Sequence, residues 1–290
     1  MADVRLLSDR FPRASRYHPD WVIASVGGGA NSLWLTEWLC EALDLRPGMR
    51  VLDLGCGHGA SSVFLRREFG VQVWAVDLWQ GATHRGRRFR DAGVDDGAFA
   101  IHADSHELPF SGEFFDVIVS IDSFFYYGTD DTYLSYITHF LKPGGTLAIA
   151  GAGMTQEIEG ELPAHLTAWW DPFCWSLHSA AWWRRHWEKT GLVTVDTADS
   201  MPDGWQRWLD WHRIVAPDNA VEIAHRGRPG ALHGLRSRRG APPAGREDRR
   251  AIQLVAVDVH SDATDARALT TRPCTTHHIS KSRGWMSCTS

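Results

Sequence analysis

The feature that most constrains this chain is a glycine-rich turn at residues 55–59, which follows a short apolar run at residues 51–54. A second apolar run at residues 73–76 ends in Asp77. Glycines allow a tight turn and let a ligand approach the backbone, and a carboxylate at the end of the next strand can accept both ribose hydroxyls. This order of strand, turn, helix, strand and acid predicts a site for a nucleoside-bearing cofactor.

Apolar runs alternate with helical patterns over the first 220 residues. The alternation favours a three-layer α/β fold in which helices cover both faces of a mostly parallel sheet. An Asn31 cap predicts a helix to about Leu43, and a crossover helix fits residues 60–69. Strands are predicted at residues 50–54, 71–76, 98–102, 114–121 and 146–150.

Composition limits the class of protein. Of the 290 residues, 43% are hydrophobic, which is enough for a substantial core. The first residues lack the basic-then-apolar order of a secretion signal, and no run approaches the roughly 18 apolar residues of a membrane span. The five cysteines form no C-x-x-C pair, so neither a metal site nor a disulfide framework is predicted. We expect a cytoplasmic protein that does not enter the membrane.

The last part of the chain differs from the rest. Residues 1–220 have a formal net charge of −11, whereas residues 221–290 carry +6 and have Trp285 as their one aromatic residue. We predict an N-terminal cap and helix at 1–46, a cofactor-binding domain at 47–220 and an atypical basic tail at 221–290. The tail is either disordered or the product of a reading-frame shift near residue 224. Its apolar run at residues 252–259 either supplies the last strand or stays exposed.

Two acids separate the candidate cofactors. Asp53 lies two residues before the first glycine, where a dinucleotide-binding strand is normally apolar because a pyrophosphate passes nearby. A carboxylate repels phosphate and attracts a cation, so Asp53 fits S-adenosylmethionine, which carries an ammonium and no phosphate, better than NAD. Later in the chain, the Asp104 carboxylate can accept the adenine amino group while Ser105 offers its backbone amide.

Five segments together resemble the class I S-adenosylmethionine-dependent methyltransferases, with the small-molecule branch closest in pattern. They are residues 51–59, Asp77, and residues 103–110, 115–118 and 141–145. The resemblance covers about residues 20–215. It implies a Rossmann-like sheet of seven strands whose last strand is antiparallel.

The resemblance also implies the cofactor-binding residues, with Cys56 interpreted as a packed loop residue rather than a nucleophile. They are Asp53, Gly55, Cys56, Gly57 and Gly59 at the methionine end, Asp77 at the ribose, Leu78 and Trp79 flanking adenine or ribose, Ala103, Asp104 and Ser105 at the adenine, and Ser120 with the backbone that follows it near the sulfonium.

The loop after the fourth strand lies at the carboxyl edge of the sheet, where such folds bind ligands. Asp122, Tyr126 and Tyr127 are our acceptor-site candidates. The alternative is that both tyrosines pack under the next helix and Asp122 caps it. The loop lacks the Pro-Pro-aromatic sequence of nucleic-acid amino-methylases of this class, and the acidic body offers no basic track for phosphates. We therefore expect a small-molecule acceptor and no nucleic acid.

Tryptophan is concentrated late in the domain, with nine of the 15 between positions 169 and 211. In an insertion at about residues 152–190 these indoles could enclose an acceptor, or those at helical spacing could fill the core. His178 is our candidate general base, since neutral imidazole accepts protons near pH 7; a structural role is the alternative. Residues 16–21 and the glycines at 27–29 could close over the cofactor or serve as a connector.

The function predicted from these patterns is direct transfer of a methyl group from S-adenosylmethionine to a small molecule. An NAD(P)-dependent oxidoreductase would use the same glycines and Asp77, but Asp53 argues against it. A catalytically impaired cofactor-binding protein is a second alternative. The acceptor, the methylated atom and the oligomeric state stay open at this stage.

Overall fold

The computed structural model describes residues 6–25, 29–167, 170–215 and 252–261. The predictions for Gly27, Gly28 and Trp169 lie outside the described residues, as do those for the parts of the basic tail at 221–251 and 262–290.

The strands of the described residues form a single sheet. They are β1 Arg50–Leu54, β2 Gln72–Asp77, β3 Ala98–His102, β4 Phe115–Ile121, β5 Leu141–Met154, β6 Val193–Ser200 and β7 Ile252–Ser261. Their order across the sheet is β3-β2-β1-β4-β5-β7-β6. The first five strands pair in parallel, and β7 runs antiparallel to β5 and β6. The predicted Rossmann-like α/β fold is confirmed.

Helices connect the strands and cover the sheet. They are α1 Pro19–Ser25, α2 Ser32–Leu39, α3 Ala60–Phe69, α4 Ala82–Asp91, α5 Tyr133–Thr138, α6 Ala164–Thr167, α7 Ala180–Glu188 and α8 Gly204–Val215, with short 3-10 helices at Ala14–Arg16, Phe124–Tyr126 and Pro172–Ser176. Asn31 caps α2 as predicted, since its Oδ1 accepts from the amides of Leu33 and Trp34 at 3.1 and 3.3 Å. The helix ends at Leu39 instead of Leu43 because the chain tightens there into i to i+3 hydrogen bonds.

The core lies on both faces of the central strands. Val51 and Leu52 of β1 point to opposite faces and both are fully buried, as are Val63, Phe64 and Leu65 of α3, which packs on the sheet. A parallel strand buried on both faces has a nearly continuous apolar sequence, which explains the apolar Val51, Leu52 and Leu54 of β1. Asp53 is the buried polar residue of that strand, and its burial therefore needs compensation.

β5 extends beyond its predicted end at residue 150 because its last residues pair with β7. Met154 pairs with Ile252, and Gly151 pairs with Val255. The apolar run at residues 252–259 thus forms a strand of the sheet, which is one of the two outcomes left open by the sequence. The fold consequently includes chain beyond the boundary predicted from composition at residue 220.

Candidate cofactor and acceptor site

A cavity of about 280 Å³ opens at the carboxyl ends of β1, β2 and β3, beside the loop after β4. Several predicted cofactor and acceptor residues border it together. They are Gly55, Asp77, Leu78, Trp79, Ala103, Asp104, Ser105, Tyr126 and Tyr127. The wall is completed by Leu54, Val76, His106 and Ser123, none of which the sequence analysis singled out.

Asp77 connects two loops of this cavity. Its Oδ2 accepts from the Gly57 amide at 2.8 Å, and its Oδ1 accepts from the amides of Trp79 and Gln80 at 2.8 and 2.7 Å. A carboxylate offers about four acceptor sites, so these three bonds leave capacity for a ligand hydroxyl. The side chain is 9% exposed, so its carboxylate holds the glycine turn against the loop after β2 while bordering the cavity.

Asp53 is fully buried beneath the glycine turn. Its Oδ2 accepts from the hydroxyls of Ser61 and Ser62, both at 2.6 Å, whereas its Oδ1 has no hydrogen-bond partner among the described residues. Burial raises the pKa of Asp53 to about 6 despite the opposing effect of the two serine hydroxyls. Asp53 is not in the cavity wall, so the contact between its unpartnered Oδ1 and the ammonium of the cofactor stays a prediction.

The glycine turn approaches the loop after β4 very closely. Gly55 has a φ of +74°, and a Cβ at this position would overlap the Ser123 hydroxyl and come within 3.3 Å of Tyr127 Oη. Gly57 also has a positive φ, of +54°, but a Cβ there would meet nothing within 4 Å. Gly55 is therefore required by both backbone conformation and space, and Gly57 by backbone conformation alone.

We expect Gly55→Ala to lower the free energy of unfolding by more than Gly57→Ala. Both substitutions impose a left-handed conformation on alanine, at a cost of about 1–2 kcal/mol, but only the first also displaces Ser123. Chemical denaturation of the two variants measures the difference. Equal losses of stability would contradict the close approach of turn and loop.

Cys56 and Gly59 complete the turn away from the cavity. Cys56 is buried, and burial raises the pKa of its thiol well above the usual value, so the thiol stays protonated and unreactive. Gly59 precedes α3 with a φ of +87°, and a Cβ there would lie 2.6 Å from the Phe89 ring. Its missing side chain lets α4 pack against the start of α3.

The loop after β3 carries Asp104 at the predicted adenine end. Asp104 Oδ1 accepts from the His106 amide at 2.9 Å and lies 3.0 Å from His106 Nδ1. These bonds to His106 lower the pKa of Asp104, so it is ionised at neutral pH. His106 is thus a site residue that the sequence analysis missed. Its spacing of two residues from an acid, typical of an Asx turn, was the available signal.

Tyr127 is a partly buried support for the glycine turn. Its hydroxyl lies 3.0 Å from Ser120 Oγ and 3.2 Å from Ser123 Oγ, and it donates to the Leu54 carbonyl at 3.3 Å. Burial raises its pKa far above 10, so the hydroxyl does not act as a base near neutral pH. Ser120, predicted near the sulfonium, is fully buried and connects β4 to this hydroxyl.

Asp122 joins separate parts of the backbone. Its Oδ2 accepts from the Ala30 amide at 2.9 Å, and its Oδ1 accepts from the Ala152 amide at 3.2 Å. It has a φ of +54°, a conformation that Asp tolerates better than most residues. Burial raises the pKa of its carboxyl. Asp122 therefore positions the N-terminal segment and the end of β5, and it does not cap the following helix.

Tyr126 and Trp79 form an aromatic rim at the mouth of the cavity. Tyr126 is 38% exposed and Trp79 is 62% exposed, and their ring centroids are 5.2 Å apart. Phe173 stacks on Tyr126 with centroids 6.2 Å apart. Exposed aromatic side chains that meet at a cavity mouth offer a flat apolar surface to a ligand.

His178 is held in one orientation. Its Nδ1 lies 2.8 Å from Glu157 Oε2, and its ring lies flat on Trp182 with centroids 3.5 Å apart. Burial favours a higher pKa for Glu157, but hydrogen bonds from His178 and Ser179 outweigh this effect and lower it. Ionised Glu157 accepts a hydrogen bond from Nδ1–H, which leaves Nε2 as the basic nitrogen. His178 is absent from the cavity wall.

The described tryptophans divide between core and surface. Trp183, Trp187, Trp208 and Trp211 are all buried, as expected from their helical spacing. Trp175 is 52% exposed, and its centroid lies 5.0 Å from that of Trp170. These four tryptophans therefore pack the core, whereas Trp175 exposes enough surface to contact a ligand.

The N-terminal segment packs on α3 and α4. Arg88 of α4 donates to Ser25 Oγ and to the Ala24 carbonyl, and its guanidinium lies over the Trp21 ring at 5.7 Å. Tyr17 Oη donates to Glu68 Oε1 at 3.2 Å. Residues 16–21 are absent from the cavity wall as described, so closure over the cofactor stays a prediction.

Comparison with known proteins identifies the domain. Residues 51–145, which contain β1 to the start of β5 and the predicted cofactor-binding residues, match a family model described as a methyltransferase domain. Residues 51–145 form a class I methyltransferase domain. The suspected family is therefore confirmed, and the alternative of an NAD(P)-dependent oxidoreductase has no support.

Named relatives are methyltransferases too. Methyltransferase GfsG of Streptomyces halstedii is 33% identical over 141 residues, 48% of this chain and 49% of that protein. The 2-methyl-6-phytyl-1,4-hydroquinone methyltransferase of Synechocystis sp. is 29% identical over 197 residues, 63% of this chain and 60% of that protein. The chain thus spans about half to three-fifths of the length of these relatives.

A solved structure shares the fold of the methyltransferase domain. Phosphoethanolamine N-methyltransferase 2 of Haemonchus contortus superposes with a TM-score of 0.63 at 18% sequence identity, over 90% of this chain and 60% of that one. Within the described part of this chain, no helix is both long and apolar enough to cross a membrane. The same residues hold no cluster of three or more His, Cys, Asp or Glu arranged for a metal ion.

Proposed function

We propose that this protein transfers the methyl group of S-adenosylmethionine to a small-molecule acceptor by direct displacement. The observation that carries the proposal is the single cavity that unites Gly55, Asp77 and Asp104 with the aromatic rim at Tyr126. One end of the cavity offers hydrogen-bond acceptors for ribose and adenine. The other end offers an apolar surface for the small molecule that receives the methyl group. The named relatives are methyltransferases, which supports the same reaction.

Each group has a defined part in this mechanism. When bound, the cofactor supplies an activated methyl group, and displacement needs mainly alignment and exclusion of water. Asp77 would accept a ribose hydroxyl, Asp104 would accept a hydrogen bond from the adenine amino group, and the unpartnered Oδ1 of Asp53 would attract the ammonium. Tyr127 and Ser120 support the glycine turn through the hydrogen bonds of the Tyr127 hydroxyl to Ser120 and to the Leu54 carbonyl. Trp79, Tyr126 and Phe173 orient an acceptor with an apolar surface.

Calorimetry with S-adenosylmethionine and with NAD tests the cofactor half of the proposal. Transfer of a radiolabelled methyl group to a panel of small molecules, compared with oligonucleotides, tests the acceptor half. Binding of NAD alone would refute the proposal. Cofactor binding without transfer to any acceptor would favour the cofactor-binding protein that lacks catalysis.

The affinity for S-adenosylmethionine should depend on the ionisation of Asp53. Burial raises the pKa of Asp53 from 3.8 to about 6, and only the carboxylate attracts an ammonium. Affinity should therefore rise as pH is raised through about 6, and Asp53→Asn should abolish that rise. The free energy of unfolding of the free protein should instead fall as pH rises through the same range, because the pKa of Asp53 is higher in the folded state than in the unfolded state. Calorimetry from pH 5 to 8 measures the first effect and denaturation the second.

We propose His178 as the general base where the acceptor must lose a proton. The 3-10 helix Pro172–Ser176 connects it to the acceptor surface, since Phe173 stacks on Tyr126 at one end and His178 follows at the other. Glu157 accepts a hydrogen bond from Nδ1–H, and its negative charge stabilises the imidazolium that forms when Nε2 accepts a proton. Neutral imidazole suits this task near pH 7.

With an acceptor identified, His178→Gln should lower kcat by about a hundredfold, within the usual contribution of a positioned base. Cofactor affinity should be unchanged, because His178 does not border the cofactor cavity. Glu157→Gln should give a smaller loss in kcat, and Glu161→Gln, which alters an exposed acid nearby, should give none. Unchanged kcat in a folded His178→Gln protein would assign His178 to structure alone.

A further inference from the structure

Arg85 of α4 is a buried cation that has no role in the mechanism proposed above. Its side chain is fully buried and is among the largest such side chains in the described chain. It forms no ion pair with a carboxylate of the described residues. Burying a guanidinium without an ionic partner is costly unless its N–H groups are hydrogen-bonded. The position therefore needs an explanation beyond packing.

The guanidinium bridges two loops of the cavity. Nη1 donates to the carbonyl of Gln80, three residues after Asp77, and Nη2 donates to the carbonyl of Ile101 at 2.5 Å, two residues before Ala103. One fork thus spans the loop that follows β2 and the end of β3. Because the guanidinium is planar, the two carbonyls must keep a defined separation and orientation.

A second bond joins the same two segments at the surface. Nε2 of His102 lies 2.7 Å from the carbonyl of Leu78. The His102 bond is exposed, whereas the Arg85 bridge is buried and its guanidinium is always charged. The buried bridge therefore sets the spacing between Asp77 and Asp104, and the surface bond follows it.

The charge of Arg85 acts on the same site. It lowers the pKa of Asp53 against the dominant effect of burial, while Asp77 raises that pKa. The charged groups that act on the Asp53 carboxylate are Asp77 from β2 and Arg85 from α4. The hydroxyls of Ser61 and Ser62 from α3 donate to it, and it also interacts with the Cys40 and Cys56 thiols and the Tyr127 hydroxyl. Arg85 is the cation of this set.

We propose that Arg85 is a positioning residue, which holds the ribose and adenine loops at the spacing of the bound nucleoside. The inference rests on the proposed function, because it assigns Arg85 to the binding of that cofactor. Arg85 touches neither the acceptor nor the reacting atoms, and its effect passes through Asp77, Asp104 and Asp53.

Calorimetric titration with S-adenosylhomocysteine, from pH 5 to 8, tests this role in four proteins. They are the unaltered chain, Arg85→Met, Arg85→Lys and the control Arg87→Met, which removes an exposed arginine from the same helix. We expect Arg85→Met to weaken binding by about tenfold or more, as for loss of hydrogen bonds to a charged group. The pH at which its affinity rises should also be higher than in the unaltered chain, because loss of the cation raises the pKa of Asp53.

The lysine variant separates charge from geometry. Arg85→Lys retains the charge but not the fork, so it should keep the pH dependence of the unaltered chain and lose part of the affinity. Arg87→Met should match the unaltered chain in both respects. An Arg85→Met protein with unchanged affinity and pH dependence would overturn the proposal.

Hydrogen exchange gives a readout that needs no cofactor and no activity. In Arg85→Lys, which keeps the buried charge and is the safer variant to fold, amides at residues 78–81 and 102–106 should exchange faster while α7 and α8 keep their protection. Unchanged exchange in both loops would refute positioning. If the unaltered chain binds no S-adenosylhomocysteine, the proposed function fails, and the exchange experiment still decides whether Arg85 holds the loops.

Discussion

Asp77→Ala should abolish tight binding of S-adenosylmethionine and destabilise the free protein as well. The lost charged hydrogen bonds to the ribose should cost about 1–3 kcal/mol of binding free energy. In addition, the amides of Gly57, Trp79 and Gln80 lose their acceptor, so the glycine turn and the loop after β2 separate. Calorimetry measures the first loss and denaturation the second.

Two controls make the Asp77 experiment decisive. Asp95→Ala removes an exposed acid from the loop after α4 and should leave both quantities unchanged. Asp77→Asn keeps one acceptor oxygen and should lie between the alanine variant and the unaltered protein. A folded Asp77→Ala protein with full cofactor affinity would remove Asp77 from the binding site.

Trp187→Ala should lower the free energy of unfolding by about 3–5 kcal/mol, the usual cost of removing a buried aromatic side chain. Trp187 is fully buried, and its ring contacts Phe124 and Trp183 with centroids 5.6 and 5.9 Å apart. Because Phe124 begins the 3-10 helix that leads to Tyr126 and Tyr127, the cavity left by the indole should also loosen this part of the site. Urea denaturation measures the loss.

Trp175→Ala is the matched control for packing. Trp175 is 52% exposed, so its removal should change stability by less than about 0.5 kcal/mol. If Trp175 contacts the acceptor, the same variant should raise KM for the acceptor while leaving cofactor affinity unchanged. Equal destabilisation by the two alanine variants would contradict the division of the tryptophans into core and surface.

Much of the cofactor half of the site was predictable because its residues follow each other in local order. Gly55 follows a buried strand directly, and Asp77 ends the next strand, so parallel pairing brings both to one edge of the sheet. Asp104 is predictable for the same reason, as it follows β3. His106 was missed because its part depends on a turn that returns its imidazole to Asp104.

The acceptor half was less predictable because its roles depend on contacts between distant segments. Asp122 and Tyr127 have the residue types of catalytic groups, yet their polar atoms bond to Ala30, Ala152 and Leu54. No short pattern reveals such partners, which are 30 to 92 residues apart in the chain. Arg85 shows the same limit, since an arginine on a polar helix gives no sign that it will be buried.

Apolar periodicity, backbone freedom and charge at strand ends are local properties, so the α/β fold and the glycine turn with its acids could be predicted from the sequence. The support of the backbone by Asp122 and Tyr127, the Arg85 bridge between two loops and the pairing of residues 252–261 with the sheet are visible in the folded structure alone. Those outcomes depend on which groups of distant segments are buried together. Burial determines whether a polar side chain must satisfy a neighbour or remains available to a ligand.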